Sequence, residues 1–263
     1  MTLSVAIIAH NEEANLPRTL ASVCWANEIV VVDAFSTDRT AEIAAGRGAR
    51  VLQRAWPGFA AQKNFALEQC TGAWVLSLDA DEELTPELAA EIQEALAGTP
   101  TVDAFCLKRR NLFLGRWMRH GGFYPDAKLR LFRRQPATAA PPRFHDRAVH
   151  ETLAFAGPTA TLRHDLVHHA YPTLAAYIEH MDRYSSLGAE VLAARGRRLR
   201  SLPAFVGRVL LAPLAGFAYN YILRLGFLDG REGLLLHLYH AVYASWKYAK
   251  LWQGSEEWVR SKE

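Results

Sequence analysis

At 263 residues, 50% hydrophobic and 22% charged, the chain is long enough for a large α/β core with an appendage and too apolar to be disordered. A formal net charge of +3 lacks the strongly basic balance of a nucleic-acid binder, but Arg and Lys thicken in the second half, as in RLFRR and GRRLR, which favours an anionic partner such as a phosphorylated substrate or a membrane surface. Cys24, Cys70 and Cys106 are scattered and odd in number, so neither a disulfide framework nor a zinc site is implied and a reducing compartment fits. The opening MTLSVAIIAHNEE has no basic region ahead of a cleavable apolar segment, so it reads as a first strand, and the expectation is a cytoplasmic protein.

The first hundred residues alternate strand and helix. LSVAIIA (3–9) is a continuous apolar run, as in a strand covered on both faces, and Leu16, Leu20, Val23 and Cys24 then recur at helical spacing. EIVVVDA (28–34) is a second buried strand, after which Ser36 or Thr37 can cap a helix. RVLQR (50–54) reads as a third strand, residues 58–72 as a helix ending at Gly72, and AWVLSLDA (73–80) as a fourth strand. Thr85-Pro86 starts the next helix, with Pro in its first position. Repeated β–α units imply a parallel, doubly wound sheet, in which ligands bind at the carboxyl ends of the strands. Asp33 and Asp79 both lie at such ends and should face one crevice.

Beyond residue 100 the pattern is mixed: DAFCLKRRN, KLRLF and AVHETL read as shorter strands, and QPATAAPP (135–142) as a loop. From about 172 the chain is helical and ends in two apolar stretches, 201–227 and 232–252. Arg208, Pro213, Asn220 and Arg224 interrupt the first; His237, His240 and Lys247 interrupt the second. This argues against a membrane span and leaves two readings, a helical pair lying in the membrane interface or one packed on the catalytic part or a second copy.

LDADEEL places four carboxylates in five positions, 79 to 83, directly after a buried strand. Asp79 and Asp81 form a D-x-D that suits a divalent cation, Mg²⁺ or Mn²⁺, held by one or two carboxylates and completed by substrate phosphates. The plainer reading is an acidic helix N-terminus favoured by the helix dipole, and Glu82 and Glu83 are assigned to that helix.

With these residues in place, the chain resembles a family 2 glycosyltransferase of GT-A fold. SVAIIAHNEEANLPRTLASV, EIVVVDAFSTDRTAEIA, QKNFAL and LSLDADEEL are similar to that family's motifs, in order, over roughly residues 1 to 100. GGFYPDAKLRLFRR, AVHETL, HHAYPTLAAYIEHMDRYSS and RLGFLDGREGLLLHLYHAVYASWKYAKL resemble a narrower bacterial branch that glucosylates the lipopolysaccharide inner core. The resemblance implies an α/β GT-A fold, with a Rossmann-like, mostly parallel sheet and a helical C-terminal extension. Its parts would be a nucleotide-sugar half (1–100), an acceptor half (101–170) and a helical membrane-interface extension (171–263).

The resemblance also implies roles. Ala9, Asn11 and Glu12 would meet the nucleotide, Asp33 the uracil or ribose, and Asp38 and Lys63 the ribose and phosphates. Without the resemblance Lys63 is a solvated helix residue, and Asn64 only orients that helix. Asp79 would position the sugar nucleotide, with Asp81 and His168 as metal ligands and His169 as the competing histidine. Glu151, preceded by His150, is the candidate base that deprotonates the acceptor hydroxyl, although most relatives carry an E-D or similar pair there; Asp126 is the alternative. Arg130, Arg133 and Arg134 are candidate phosphate binders or plain strand residues.

The implied reaction is inverting transfer of a sugar, glucose from UDP-glucose, to a hydroxyl of a lipopolysaccharide core or related glycan acceptor. The enzyme would be metal-dependent and peripheral on the inner face of the cytoplasmic membrane, without a nucleic-acid partner. Two alternatives stay open. One is transfer to polyprenyl phosphate or another acceptor, and the other is a non-catalytic nucleotide-sugar-binding protein. The sequence is silent on oligomeric state.

Overall fold

The apolar run at the N-terminus forms β1 (Leu3–Ala9), buried at every position. Its side chains alternate between two clusters. Val5, Ile7 and Ala9 join Leu16, Leu20, Leu88 and Ile92 on one face, while Ala6 and Ile8 join Ala66 and Cys70 on the other. A strand with both faces covered needs such a run. The structure, a computed structural model, describes residues 1–136, 140–145 and 152–260, with side chains as far as 254.

β2 (Glu28–Asp33), β3 (Arg50–Gln53) and β4 (Trp74–Asp79) extend β1 into a parallel half-sheet, linked by α1 (Leu16–Ser22), α2 (Thr40–Gly46) and α3 (Phe59–Gln69). Short β5 (Glu82–Leu84) precedes α4 (Pro86–Ala97), whose cap is the expected Thr85, accepting from the Leu88 N–H at 3.2 Å. β6 (Ala104–Phe113), β7 (Arg116–Trp117), β8 (Asp126–Arg133) and β11 (Thr159–Tyr171) follow, while β9 (Arg143–His145) and β10 (Thr152–Ala154) form a separate antiparallel pair. The main sheet runs β3-β2-β1-β4-β8-β6-β11-β5, with β7 on β6. This is the GT-A arrangement that the motifs imply. Its parallel half stops at β4, because β8 and β6 pair antiparallel and need no crossover helix.

Two local expectations are corrected. Neither Ser36 nor Thr37 caps α2, which begins at Thr40 with Arg39 at the cap position; the Asp38 carboxylate takes the Thr40 N–H instead, at 3.0 Å. Glu82 and Glu83 do not serve the following helix either. They lie in β5, pairing with His168 and Val167 of β11, and Glu82 is fully buried.

The chain divides into two compact units, residues 1–110 with 125–169 and residues 111–124 with 170–263. In the second, α5 (Leu174–Ala194) packs with α7 (Gly230–Arg260) around Phe113, Met118, Tyr177, Met181 and Leu236. Between them lies α6 (Leu202–Leu223), a continuous helical run containing two π-turns, with Pro213 accommodated just after the first. The interruptions expected to break this stretch leave a 22-residue helix that is long and apolar enough, by length and composition, to cross a membrane. Only 6% of its most apolar window is buried.

In the first unit Glu28 ties β2 to its neighbours. Its carboxylate accepts from the Thr71 N–H (2.8 Å), the Thr71 hydroxyl (3.0 Å), the Ser4 hydroxyl and Arg50 (3.1 Å). Burial pushes its pKa up, but these donors outweigh it and carry the group down to about 2. A depressed carboxyl contributes stability above its ordinary value of 4.5, lost as pH falls towards 2. Glu28→Gln is therefore expected to lose about 1–2 kcal/mol at neutral pH. In denaturant titrations across pH, the gap to wild type should close between these two values.

Candidate active site

The loops after β1 and β2 are knitted together by their own polar side chains. Ala9 lies opposite Asp33, and its carbonyl accepts the Ala34 N–H at 2.9 Å. Asp33 is fully buried and accepts from the Ser36 N–H (3.1 Å) and hydroxyl. Asn11 adopts the left-handed backbone (φ 56°) that Asn tolerates better than most residues. From there its Oδ1 accepts the Thr37 N–H at 2.8 Å and its N–H donates to Ser36 Oγ at 2.9 Å. Asp38 accepts the Glu13 N–H at 3.1 Å, and the Glu12 N–H donates to Thr40 Oγ1 at 2.7 Å. Burial raises the Glu12 carboxyl, opposed by a hydrogen bond from Asn15 and reinforced by the charges of Asp81, Asp38 and Asp79. Glu12 thus shares one electrostatic field with both aspartates of the D-x-D.

The turn after β4 is braced from α1, where the Thr19 hydroxyl donates to the Ala80 carbonyl at 2.7 Å and Ser22 Oγ accepts the Leu84 N–H at 3.1 Å. Three of its four carboxylates are matched by cations. Asp79 Oδ1 meets Lys63 Nζ at 2.7 Å, and Asp79 Oδ2 meets Arg130 at 2.6 Å. Arg130 also reaches Glu82 at 2.6 Å, and Arg109 reaches the same Glu82 oxygen at 3.3 Å. Glu83 turns away, to Arg18 at 3.2 Å. Burial opposes the charge on Asp79, yet Arg130 and Lys63 hold its carboxyl well below the usual range. Lys63 is only 4% exposed and lies under the Phe144 ring at 5.3 Å, so the solvated-helix reading is corrected. Asn64 beside it pins α3 to β9, exchanging two 2.8 Å hydrogen bonds with the Phe144 backbone.

Among the described residues Asp81 has no such cation. β11 runs antiparallel to β5 with His168 opposite Glu82, and this sets His168 Nε2 3.3 Å from Asp81 Oδ2. The His169 N–H donates to the Asp81 carbonyl at 3.0 Å, while its ring alternates to the other side, 3.3 Å from Glu83. Burial resists both charges of the pair. Asp81 is nevertheless lowered by the His168 hydrogen bond and charge, and His168 is raised by Asp81.

The oxygen and nitrogen donors fit a hard divalent cation. Two neighbouring ligands at about 2.1 Å in an octahedron lie roughly 3 Å apart, close to the separation of this pair. Among the described residues no three His, Cys, Asp or Glu side chains converge, so a cation here would take its other ligands from phosphate oxygens and water.

Asp126 lies between Arg109 (2.5 Å) and Lys128 (3.0 Å). Burial pushes its pKa up, but Arg109 and Lys128 outweigh it and bring the group to about 2, which makes Asp126 a feeble proton acceptor. Arg133 and Arg134 are not at this crevice. Arg133 pairs with Trp74 at the start of β4, bonding Asp103 at 2.8 Å, and Arg134 donates to the Gly72 carbonyl at 3.0 Å. Glu151 and His150 lie outside the described residues. The reading of the sequence missed Arg109 and the buried Glu82. The only signal was the excess of carboxylates itself, which demands cations without naming them.

Residues 4–157 match the family model described as glycosyl transferase family 2. The lipopolysaccharide core biosynthesis glycosyltransferase LpsC of Rhizobium meliloti is 32% identical, over 96% of this chain and 93% of its own. An uncharacterized glycosyltransferase of Rickettsia typhi is 30% identical, over 95% and 86%. Among solved structures, S. aureus TarS 1–349 aligns over 100% of this chain and 92% of that one, with TM-score 0.47 and 17% identity. Glucosyl-3-phosphoglycerate synthase from Mycobacterium tuberculosis, solved with Mn²⁺, UDP and glucosyl-3-phosphoglycerate, aligns over 42% and 44%, with TM-score 0.36 and 25% identity.

Arg130→Met would leave Asp79 and Glu82 without their shared counter-ion. The expected loss is about 3–5 kcal/mol in denaturant unfolding. A loss within 1 kcal/mol, the range of about ±0.5 kcal/mol typical of featureless surface sites doubled, would show that Lys63 and Arg109 suffice.

Proposed function

The chain belongs to glycosyl transferase family 2, and from that premise we propose that it moves a sugar from a nucleoside diphosphate donor to a hydroxyl of a lipopolysaccharide-core acceptor. The acceptor class rests on similarity to LpsC across nearly the whole length of both chains. For the donor we propose UDP-glucose, the sugar nucleotide implied by the motifs of the second half. The observation that carries the donor site is the division of labour in the D-x-D. Asp79 is committed to Lys63 and Arg130, while Asp81 has His168 as its only ion-pair partner among the described residues.

A divalent cation bound here would act as a Lewis acid, offsetting charge on the departing diphosphate. Asp81 and His168 hold the protein side of that site. Asp33 and the knitted Asn11–Ser36–Asp38 loops line the strand ends where the nucleoside would bind. Asp79, immobilised by two cations, is a fixed acceptor for donor hydroxyls. Glu151 is assigned as the base that takes the acceptor proton while its oxygen attacks the anomeric carbon from the face opposite the diphosphate. This inverts the anomeric configuration. Asp126, paired with Arg109 and Lys128, which lower it to about 2, is not assigned that step.

Calorimetric titration with UDP and UDP-glucose, each with Mn²⁺ or with EDTA, tests the donor half. Wild type should bind only with the cation, and Asp81→Asn should weaken binding at least tenfold; equal binding in EDTA would overturn the cation assignment. Glu151→Gln tests the acceptor half. It should retain UDP binding and lose transfer by about 10²-fold or more, the scale of general base catalysis. Undiminished transfer would point to an acceptor that is already anionic, such as a polyprenyl phosphate.

A further inference from the structure

Residues 191–228 contain six arginines and no Asp, Glu or Lys. In the second unit this segment leaves α5, turns, and forms α6. The helix α6 packs along α7: Phe205 meets Trp252 (ring centroids 5.2 Å apart), Arg208 lies over Tyr248 (5.8 Å), and Tyr221 faces His237 (6.0 Å). Pro213 is the buried residue of its turn. The other side is bare. Leu211, Leu214, Ala215, Ala218 and Ile222, spaced i, i+3, i+4, i+7 and i+11, form an exposed stripe, with Leu211, Leu214 and Ile222 each more than half exposed. Leu223 at the helix end, with Leu225, Phe227 and Leu228 beyond it, continues the exposed apolar surface. So large an uncovered apolar surface marks a contact site.

Beside it, a cavity of about 620 Å³ opens between the end of α5, the start of α6 and α7. Arg197, Arg198 and Arg208 line it together with Leu192, Tyr248 and Leu251. Cationic groups over an apolar floor, next to an apolar helix face, match a molecule with an anionic head and a hydrocarbon body.

We propose that the second unit docks on an anionic phospholipid surface, with Arg197, Arg198 and Arg208 holding a lipid phosphate and the Leu211–Leu214–Ile222 stripe entering the acyl layer. The charge pattern selects this occupant, since every charged group of the segment is cationic and complements a phosphate-bearing surface. Arg is suited to that contact, because its planar fork binds phosphate bidentately. The packing also sets the mode of binding. One side of α6 is held by α7, which carries Lys247 and Lys250, with Lys250 paired to Asp182 at 2.6 Å. The helix therefore lies in the plane of the interface, with one face in lipid, instead of crossing.

Co-sedimentation of the full chain with vesicles tests this, using phosphatidylcholine alone and phosphatidylcholine with phosphatidylglycerol. Wild type should bind the anionic vesicles strongly and the neutral ones weakly. Each interfacial arginine contributes about fivefold to partition, so Arg197→Gln/Arg198→Gln/Arg208→Gln should reduce binding to anionic vesicles by about 10²-fold. Leu214→Glu/Ile222→Glu should abolish binding to both, and an unchanged helical circular-dichroism signal with the wild-type cooperative unfolding would show that these variants fold. Three results would overturn the proposal: wild type indifferent to lipid charge, saturable binding of inorganic phosphate without vesicle binding, or a dimer that Leu214→Glu/Ile222→Glu dissociates while vesicle binding is absent.

Discussion

Arg130 is the counter-ion on which the acidic turn depends. Two carboxylates of that turn, Asp79 and Glu82, lie within 2.6 Å of its guanidinium, and Glu82 has no exposure to water at all. Uncompensated carboxylates at that depth would take up protons or unfold the turn. β8 supplies the arginine because it pairs antiparallel with β4, aligning Leu131 with Leu76 and leaving Arg130 within reach of the end of β4. Both contacts come from one terminal nitrogen of the guanidinium. Desolvation offsets much of the attraction in so buried a network, so it organises the site more than it stabilises the fold.

The consequence is chemical. With Asp79 saturated by Lys63 and Arg130, the two aspartates of the D-x-D are no longer equivalent. Asp81 stands on the crevice side, and its only close ionic partner among the described residues is a histidine that can exchange a proton for a metal. The position of His168 depends in turn on β5, the short strand that brings β11 alongside.

Much of the first hundred residues was legible in the sequence, because β1, β2 and β4 are continuous apolar runs and α4 carries its Thr-Pro start. What escaped was long-range. β5 has three residues, two of them Glu, and nothing local marks it as a strand. Its pairing with β11 is a tertiary fact, and only that register sets the His168 ring beside Asp81 and the His169 ring beside Glu83. Arg130 was marked as a cation, but periodicity gives the face of a strand and not the partner across it. Asp126 was the reverse case: its chemistry suits a base, while its neighbours Arg109 and Lys128 could not be read from the sequence. At the C-terminus, Arg208, Pro213, Asn220 and Arg224 read as interruptions, yet packing on α7 and two π-turns absorb them into one helix. The acceptor-side Glu151 lies outside the described residues, so its role rests on motif and chemistry alone.

The central claim, that Asp81 and His168 hold a cation while Asp79 stays with Lys63 and Arg130, is tested most directly by diffraction at the manganese absorption edge from crystals grown with UDP and Mn²⁺. The account requires one anomalous peak within about 2.3 Å of Asp81 and His168, with the Asp79 ion pairs intact. A peak bridging Asp79 with Lys63 displaced, or UDP bound with no peak in the crevice, would contradict it.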